Sequence, residues 1–181
     1  MIKIPELTTD RLLLRAFTME DAIVVKQLAG AKEIADTTMN IPHPYPDGAA
    51  EVWIGGHGRN FNDGKEVNWA ICLKESGEVV GAISFILKFE HEKAEAGYWI
   101  GLPYWNKGYA SEALGAVIKY GFDVLRLNKI YAHYFNRNPA SGQVMFKNGM
   151  HEEGYLRQDI IKDGKYEDII YCSILRSEFL G

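Results

Sequence analysis

Along this chain, short runs with apolar side chains at every second position alternate with longer runs at every third or fourth, the periods of strand and helix. Arg11 to Ala16, RLLLRA, suits a first strand, and Thr18 to Asp21 offers a capping-box pattern that opens a helix through about Leu28. From Ala31 to Asp63 the pattern weakens: IPHPYPDG breaks any long element, and a Gly-rich helix candidate after Asp47 ends in GGHGRNFNDG. Asn68 to Leu73, Val79 to Lys88 and Lys93 to Ile100 read as successive strands, the first two joined by a turn around Ser76 and Gly77. Ser111 to Leu125 carries apolar residues at 113, 114, 117, 118, 122 and 125, close to helical spacing. Lys129 to Phe135 predicts a strand, Ala140 to Lys147 a short helix, and the chain from His151 two strands joined by an Asp163-Gly164 turn.

The predicted order β-α-(α)-β-β-β-α-β-α-β-β gives an α/β (or α+β) fold, in which helices interrupt and cover a mixed, mainly antiparallel sheet. With 181 residues, 47% of them hydrophobic, the chain can bury one sizeable core, so residues 1–181 are expected to form a single domain. No internal repeat or low-complexity run interrupts the order.

Composition narrows the partners. A formal charge of −4 argues against a direct nucleic-acid partner or an anionic membrane, both of which want a basic face, and suits a cationic one. Cys72 and Cys172 lie in strand-like runs and read as reduced core thiols. The opening MIKIPELTTDRL lacks an uninterrupted apolar stretch, and no window approaches the roughly 20 apolar residues of a membrane span, so a cytoplasmic location is expected. The five histidines show neither i,i+4 pairing nor a companion cysteine cluster, so no metal site is expected.

The chemically informative stretch is YWIGLPYWNKGYASEAL, Tyr98 to Leu114, where a strand ends, a loop turns and a long helix begins at once. A loop running Asn106, Lys107, Gly108, Tyr109, Ala110 into a helix aims unpaired amides at one point, with the positive end of the helix dipole behind them. Gly108 lets the backbone approach an anion without a Cβ in the way, and Ala110 keeps the first turn open. Such a point suits a phosphate or pyrophosphate. The other reading is an ordinary strand-to-helix connection, and the GxxxxGK[ST] pattern of a Walker loop is absent.

These residues resemble the GNAT family of acetyltransferases, whose phosphate loop reads Gln/Arg-x-x-Gly-x-Gly/Ala. WNKGYA at 105 to 110 is similar to the aromatic-rich form of its ribosomal-protein N-acetyltransferase branch. NRNPASGQVMFKNGM, residues 136 to 150, resembles the family's Asn-x-x-Ser…Lys-x-Gly-Phe segment, with Met150 in place of Phe, and LTTDRLLLRAFTMEDA looks like the branch's opening. The resemblance implies acetyl-CoA as cosubstrate, no metal, and a sheet splayed at the cofactor site. It also implies a cofactor site: Ile100 and Leu102 pairing with the pantetheine amides, Trp105, Asn106, Lys107, Gly108, Tyr109 and Ala110 forming the phosphate loop, and Asn138 bonding the pantetheine arm or its neighbouring loop. By the same resemblance Ser141 protonates the leaving thiolate, and the base is an acid in the strand after KNGM. Asp159 is the nearest match, possible only if the register holds, since a one-residue offset turns a strand side chain to the other face. Glu95 and His133, on predicted strands beside the splay, are further candidates that could reach the amine through a water, the other reading of each being a satisfied polar strand residue. Glu112 is expected to serve the helix dipole rather than the reaction.

The resemblance implies transfer of acetyl to a primary amine by direct attack, foremost the N-terminal α-amino group of a ribosomal-type protein, by a monomer or homodimer. A small amine such as a polyamine or aminoglycoside is the second acceptor class, and an acetyl-CoA-binding sensor without turnover the third. An α-amino group, with reference pKa near 8, keeps a larger neutral fraction than a lysine near 10.4 and so demands less of a base.

Overall fold

The computed structural model describes residues 3–179. One eight-stranded sheet runs in the order β1-β2-β3-β4-β5-β6-β8-β7. Its strands are β1 Leu7–Thr8, β2 Leu12–Arg15, β3 Glu66–Leu73, β4 Val79–Lys88, β5 Lys93–Ile100, β6 Lys129–Phe135, β7 His151–Lys162 and β8 Lys165–Leu175. The helices are α1 Ala22–Ala29, α2 Lys32–Thr37, α3 Ala49–Asn62, α4 Tyr109–Asp123 and α5 Pro139–Phe146. All neighbouring strands pair antiparallel except β5 and β6, which are parallel.

The strands show the expected alternation. In β3, Trp69 and Ile71 point to one face, where Trp69 meets Tyr120 of α4 edge-on at 5.6 Å, while Ala70 and Cys72 face Phe17 and Val24 on the other side. Helices α4 and α5 therefore cover one face, and α1 and α3 the other. The entry to α1 is fixed by the capping box: the Thr18 amide donates to the Asp21 carboxylate at 2.7 Å, and Arg15 grips the same carboxylate with both terminal nitrogens.

Two elements depart from the sequence expectation, and the Gly-rich helix candidate after Asp47 forms as α3. The two-residue edge strand β1 and the six-residue α2 are additional, both too short to show a period. α3 continues through the GGHGRNFN stretch, because Ala50, Ile54 and His57 keep a buried stripe at helical spacing while Gly55, Gly56 and Gly58 face open space.

One feature of the sheet positions everything that follows. β5 and β6 are paired only at Lys93↔Lys129, Ala94↔Ile130 and Glu95↔Tyr131. Beyond Glu95 the two strands diverge, and a slot opens through the sheet.

Candidate active site

The slot is edged by backbone. Gly101 donates its amide to the Val80 carbonyl of β4 at 2.8 Å, so by the alternation of a strand Ala96, Tyr98 and Ile100 direct theirs toward the opening. Those groups offer an extended ligand the hydrogen-bonding edge that β6 would otherwise occupy. Of the two expected partners, Ile100 lies on this edge, its carbonyl accepting the Trp105 indole at 2.6 Å, whereas Leu102 starts a 3-10 turn past the strand end.

The loop that follows turns sharply into α4. Asn106 (φ 61) and Gly108 (φ 79) both adopt the left-handed conformation, which asparagine tolerates and glycine adopts freely. The first helical bond of α4 is donated by Glu112 to the Gly108 carbonyl, which leaves the preceding amides without an intrahelical acceptor. A Cβ at Gly108 would lie 3.4 Å from an Arg11 nitrogen. Arg11 was not foreseen in this role: it donates to the Lys107 carbonyl at 2.9 Å and lies 4.9 Å over the Tyr109 ring. Glu112 accepts from Thr9 at 2.6 Å and from Arg11, so it anchors β2's approach to α4 and stays clear of the slot. Burial pushes the Glu112 carboxyl up, but the hydrogen bonds from Thr9 and Arg11 outweigh this and leave it below its ordinary value.

Across the slot, Asn138 holds the position before α5 without a side-chain capping bond and Ser141 sits on the first turn, with the Ser141 amide donating to the Asn138 carbonyl at 3.1 Å. The Tyr98 hydroxyl lies 3.0 Å from both the Ser141 carbonyl and the Ser141 Oγ. Burial drives the Tyr98 hydroxyl strongly upward, so it stays protonated and can donate to Ser141. Gly142 is required here, since a Cβ would fall 2.5 Å from the Tyr134 ring.

On the α1 and α3 side the slot opens into a cavity of about 430 Å³ that reaches Tyr98 and Ser141 at one end and Tyr45 and Trp53 at the other. At its mouth Glu95 Oε1 and His133 Nδ1 are 3.4 Å apart, and His133 Nε2 is 2.9 Å from Met39 Sδ. Glu95, His133 and Met39 also line an outer cavity of about 340 Å³ beneath the β7–β8 hairpin. Asp159 lines that outer cavity and an open hollow on the β7–β8 hairpin itself, and is absent from the inner one. It is exposed, on a break in register between Leu156 and Ile160 that the Asp168 carboxylate braces by accepting the Gln158 amide at 2.7 Å. The structure thus brings Ser141 together with Tyr98 and Glu95 with His133, and sets Asp159 outside the inner cavity. Tyr98 was legible only as a strand residue, because its meeting with Ser141 spans 43 positions.

The sequence profile described as Acetyltransferase (GNAT) domain matches residues 11–151. The uncharacterized N-acetyltransferase p20 of Bacillus licheniformis is 34% identical over 97% of this chain and 98% of its own length. Two relatives at 25% identity bear different acceptor names: the [ribosomal protein uS5]-alanine N-acetyltransferase of Escherichia coli, over 93% of this chain and 89% of its own, and the spermidine N(1)-acetyltransferase of Vibrio cholerae, over 94% and 96%. The crystal structure of a GNAT-family acetyltransferase from Bacillus anthracis superposes with a TM-score of 0.85 at 29% identity, covering 96% of this chain and all of that one. A splayed β5–β6 junction, an amide cradle at α4 and a family match over most of the chain agree: this protein is a member of the GNAT acetyltransferase family, enzymes that transfer acetyl from acetyl-CoA to an amine.

Proposed function

We propose that the acceptor is the N-terminal α-amino group of a protein, acetylated by direct attack with no acyl-enzyme. The observation that carries this reading is the Glu95–His133 pair at the common wall of two cavities. An extended chain end can lie under the β7–β8 hairpin while its amine reaches inward past that pair. The ribosomal-protein relative supports the same acceptor.

Acetyl-CoA supplies the thioester. The residues of this chain then divide the work. The amides before Glu112, with Asn106, Lys107, Gly108, Tyr109 and Ala110, hold the pyrophosphate, and Trp105 braces the loop against β5. Backbone groups at Tyr98 and Ile100 align the pantetheine arm, with Leu102 at its outer end and Asn138 across the slot. Glu95, in contact with His133, takes the proton the amine loses as its C–N bond forms, directly or through a water. Ser141 Oγ, held by Tyr98, gives a proton to the sulfur as the C–S bond breaks and takes one back from water in the same relay. Asp159, exposed at the rim, draws the ammonium into the outer cavity.

The test is acetylation of a panel of ribosomal-protein N-terminal peptides, polyamines and aminoglycosides, followed by thiol release and acceptor mass. Peptide acetylation is expected, with Glu95→Gln and Ser141→Ala lowering kcat and Asp159→Asn raising the peptide KM. Turnover of polyamines alone would overturn the acceptor assignment in favour of the small-amine reading, which the spermidine relative supports. A normal kcat in Glu95→Gln would remove that residue as the base.

A further inference from the structure

Strand pairing sets three lysines in one row on the acceptor face of the sheet. Lys88 of β4 lies opposite Lys93 of β5, and Lys93 lies opposite Lys129 of β6. Like charges directly opposite each other destabilise a sheet, so such a row needs an answering anion. Lys129 has one, Glu153 at 2.6 Å. Lys88 instead donates to the Tyr131 hydroxyl at 2.8 Å, and the Lys88 and Lys93 ammonium groups lie 5.5 and 5.6 Å from the Tyr131 ring centre. Among the described residues neither Lys88 nor Lys93 forms an ion pair. Both are partly buried, which leaves them less water to screen their repulsion.

Both line the outer cavity together with Glu95, His133 and Asp159. Lys93 precedes Glu95 by two residues on the same strand face, which places the lysine row about 7 Å from the proposed base. The cavity is therefore bipolar, with carboxylates where the amine enters and, one strand repeat away, two lysines over Tyr131 with no direct ion pair among the described residues, Glu95 and Glu90 favouring the charge on Lys88 only from a distance.

We propose that Lys88 and Lys93 form a subsite for an anionic group, a carboxylate or phosphate, carried by the acceptor about 7 Å from the nitrogen that is acetylated. On a protein N-terminus, the acceptor assigned above and on which this inference rests, the group is an acidic side chain at the second or third position. The enzyme then selects acceptors that pair a free amine with a nearby negative charge and discriminates against purely cationic amines.

The experiment compares hexapeptides that begin Ala-Asp with isosteric ones that begin Ala-Asn, and Ala-Ala-Asp with Ala-Ala-Asn, on the wild type and on a Lys88→Met/Lys93→Met double variant. Methionine keeps an aliphatic stem over Tyr131, and circular dichroism confirms the fold. The wild type is expected to favour the acidic peptide by about tenfold in kcat/KM, through KM, and the double variant to show parity. Equal rates on both peptide pairs in the wild type, or a preference that survives in the double variant, would overturn the subsite. Should no peptide be acetylated, glucosamine 6-phosphate against glucosamine separates the two ideas. A phosphate preference lost in the double variant supports the subsite while the protein acceptor falls, and no preference overturns the subsite. Calorimetry with the N-acetylated product peptides reads the subsite without turnover: tighter binding of the acidic peptide by the wild type alone supports it, and equal affinities count against it.

Discussion

At the scale of single residues, function depends on what surrounds a group more than on its identity. Ser141 alone is a weak acid; with the buried Tyr98 hydroxyl 3.0 Å away it has a fixed direction and a protonated neighbour. His57 is the opposite case. It is 5% exposed between Phe17 and Trp53, and among the described residues neither ring nitrogen has a hydrogen-bond partner. Burial lowers its pKa from 6.5 to about 4. Between those values the unfolded chain binds a proton that the folded protein refuses, so stability is full above pH 6.5 and declines as pH falls toward 4. His57→Leu should leave stability at pH 7 equal or higher, because no hydrogen bond is lost. Urea unfolding at pH 7 and pH 4.5 should show the wild type losing about 2 to 3 kcal/mol more than the variant between the two. Equal losses would mean that His57 takes up its proton without unfolding.

At the scale of elements, two loops fix what the active site can hold. The turn into α4 depends on the left-handed Gly108, where a β-branched side chain is strained and faces Arg11. Gly108→Val should raise the acetyl-CoA dissociation constant at least about tenfold, since it displaces several amides at once, with the far-ultraviolet spectrum unchanged; unaltered affinity by calorimetry would contradict the cradle. The loop after α2 roofs the inner cavity and is tied down by Lys162, which is 8% exposed and donates to the Ile41 carbonyl at 2.8 Å and the Met39 carbonyl at 3.4 Å. Lys162→Met leaves those carbonyls short of a donor, a loss of about 1 to 3 kcal/mol. It should raise the acceptor KM and spare the acetyl-CoA KM; the reverse split would place the loop on the cofactor side. The strands β4, β5 and β6 were legible to the residue in sequence because flanking turns agree there with β-branched content in β4 and aromatic content in β5 and β6. The turn into α4 was legible because its signal, a glycine before a helical run, is local. The pairs Glu95–His133 and Tyr98–Ser141 were not, since each depends on the register of segments about 40 positions apart. Only the break in register of β7 fixed where Asp159 points.

At the scale of the molecule, the sheet is two blocks, β1 to β5 and β6 to β8, held edge to edge by three residue pairs and otherwise by the helices across them. A ligand lying along the open edge of β5 supplies contacts that the polypeptide leaves out. Binding confined to the folded state raises stability by about 2.7 kcal/mol at a hundredfold excess over the dissociation constant, so the melting temperature should climb with the logarithm of acetyl-CoA concentration. A flat melting temperature would show that acetyl-CoA does not bind the folded state in preference to the unfolded chain. The seam also bears on how the protein lives between turnovers. Amides of Ala96, Tyr98 and Ile100 should exchange with solvent quickly in the free enzyme and slowly in the loaded one. In effect the molecule is finished by its own substrate: without acetyl-CoA the edge of β5 past Glu95 has no partner strand, and resistance to proteases should rise as acetyl-CoA is added.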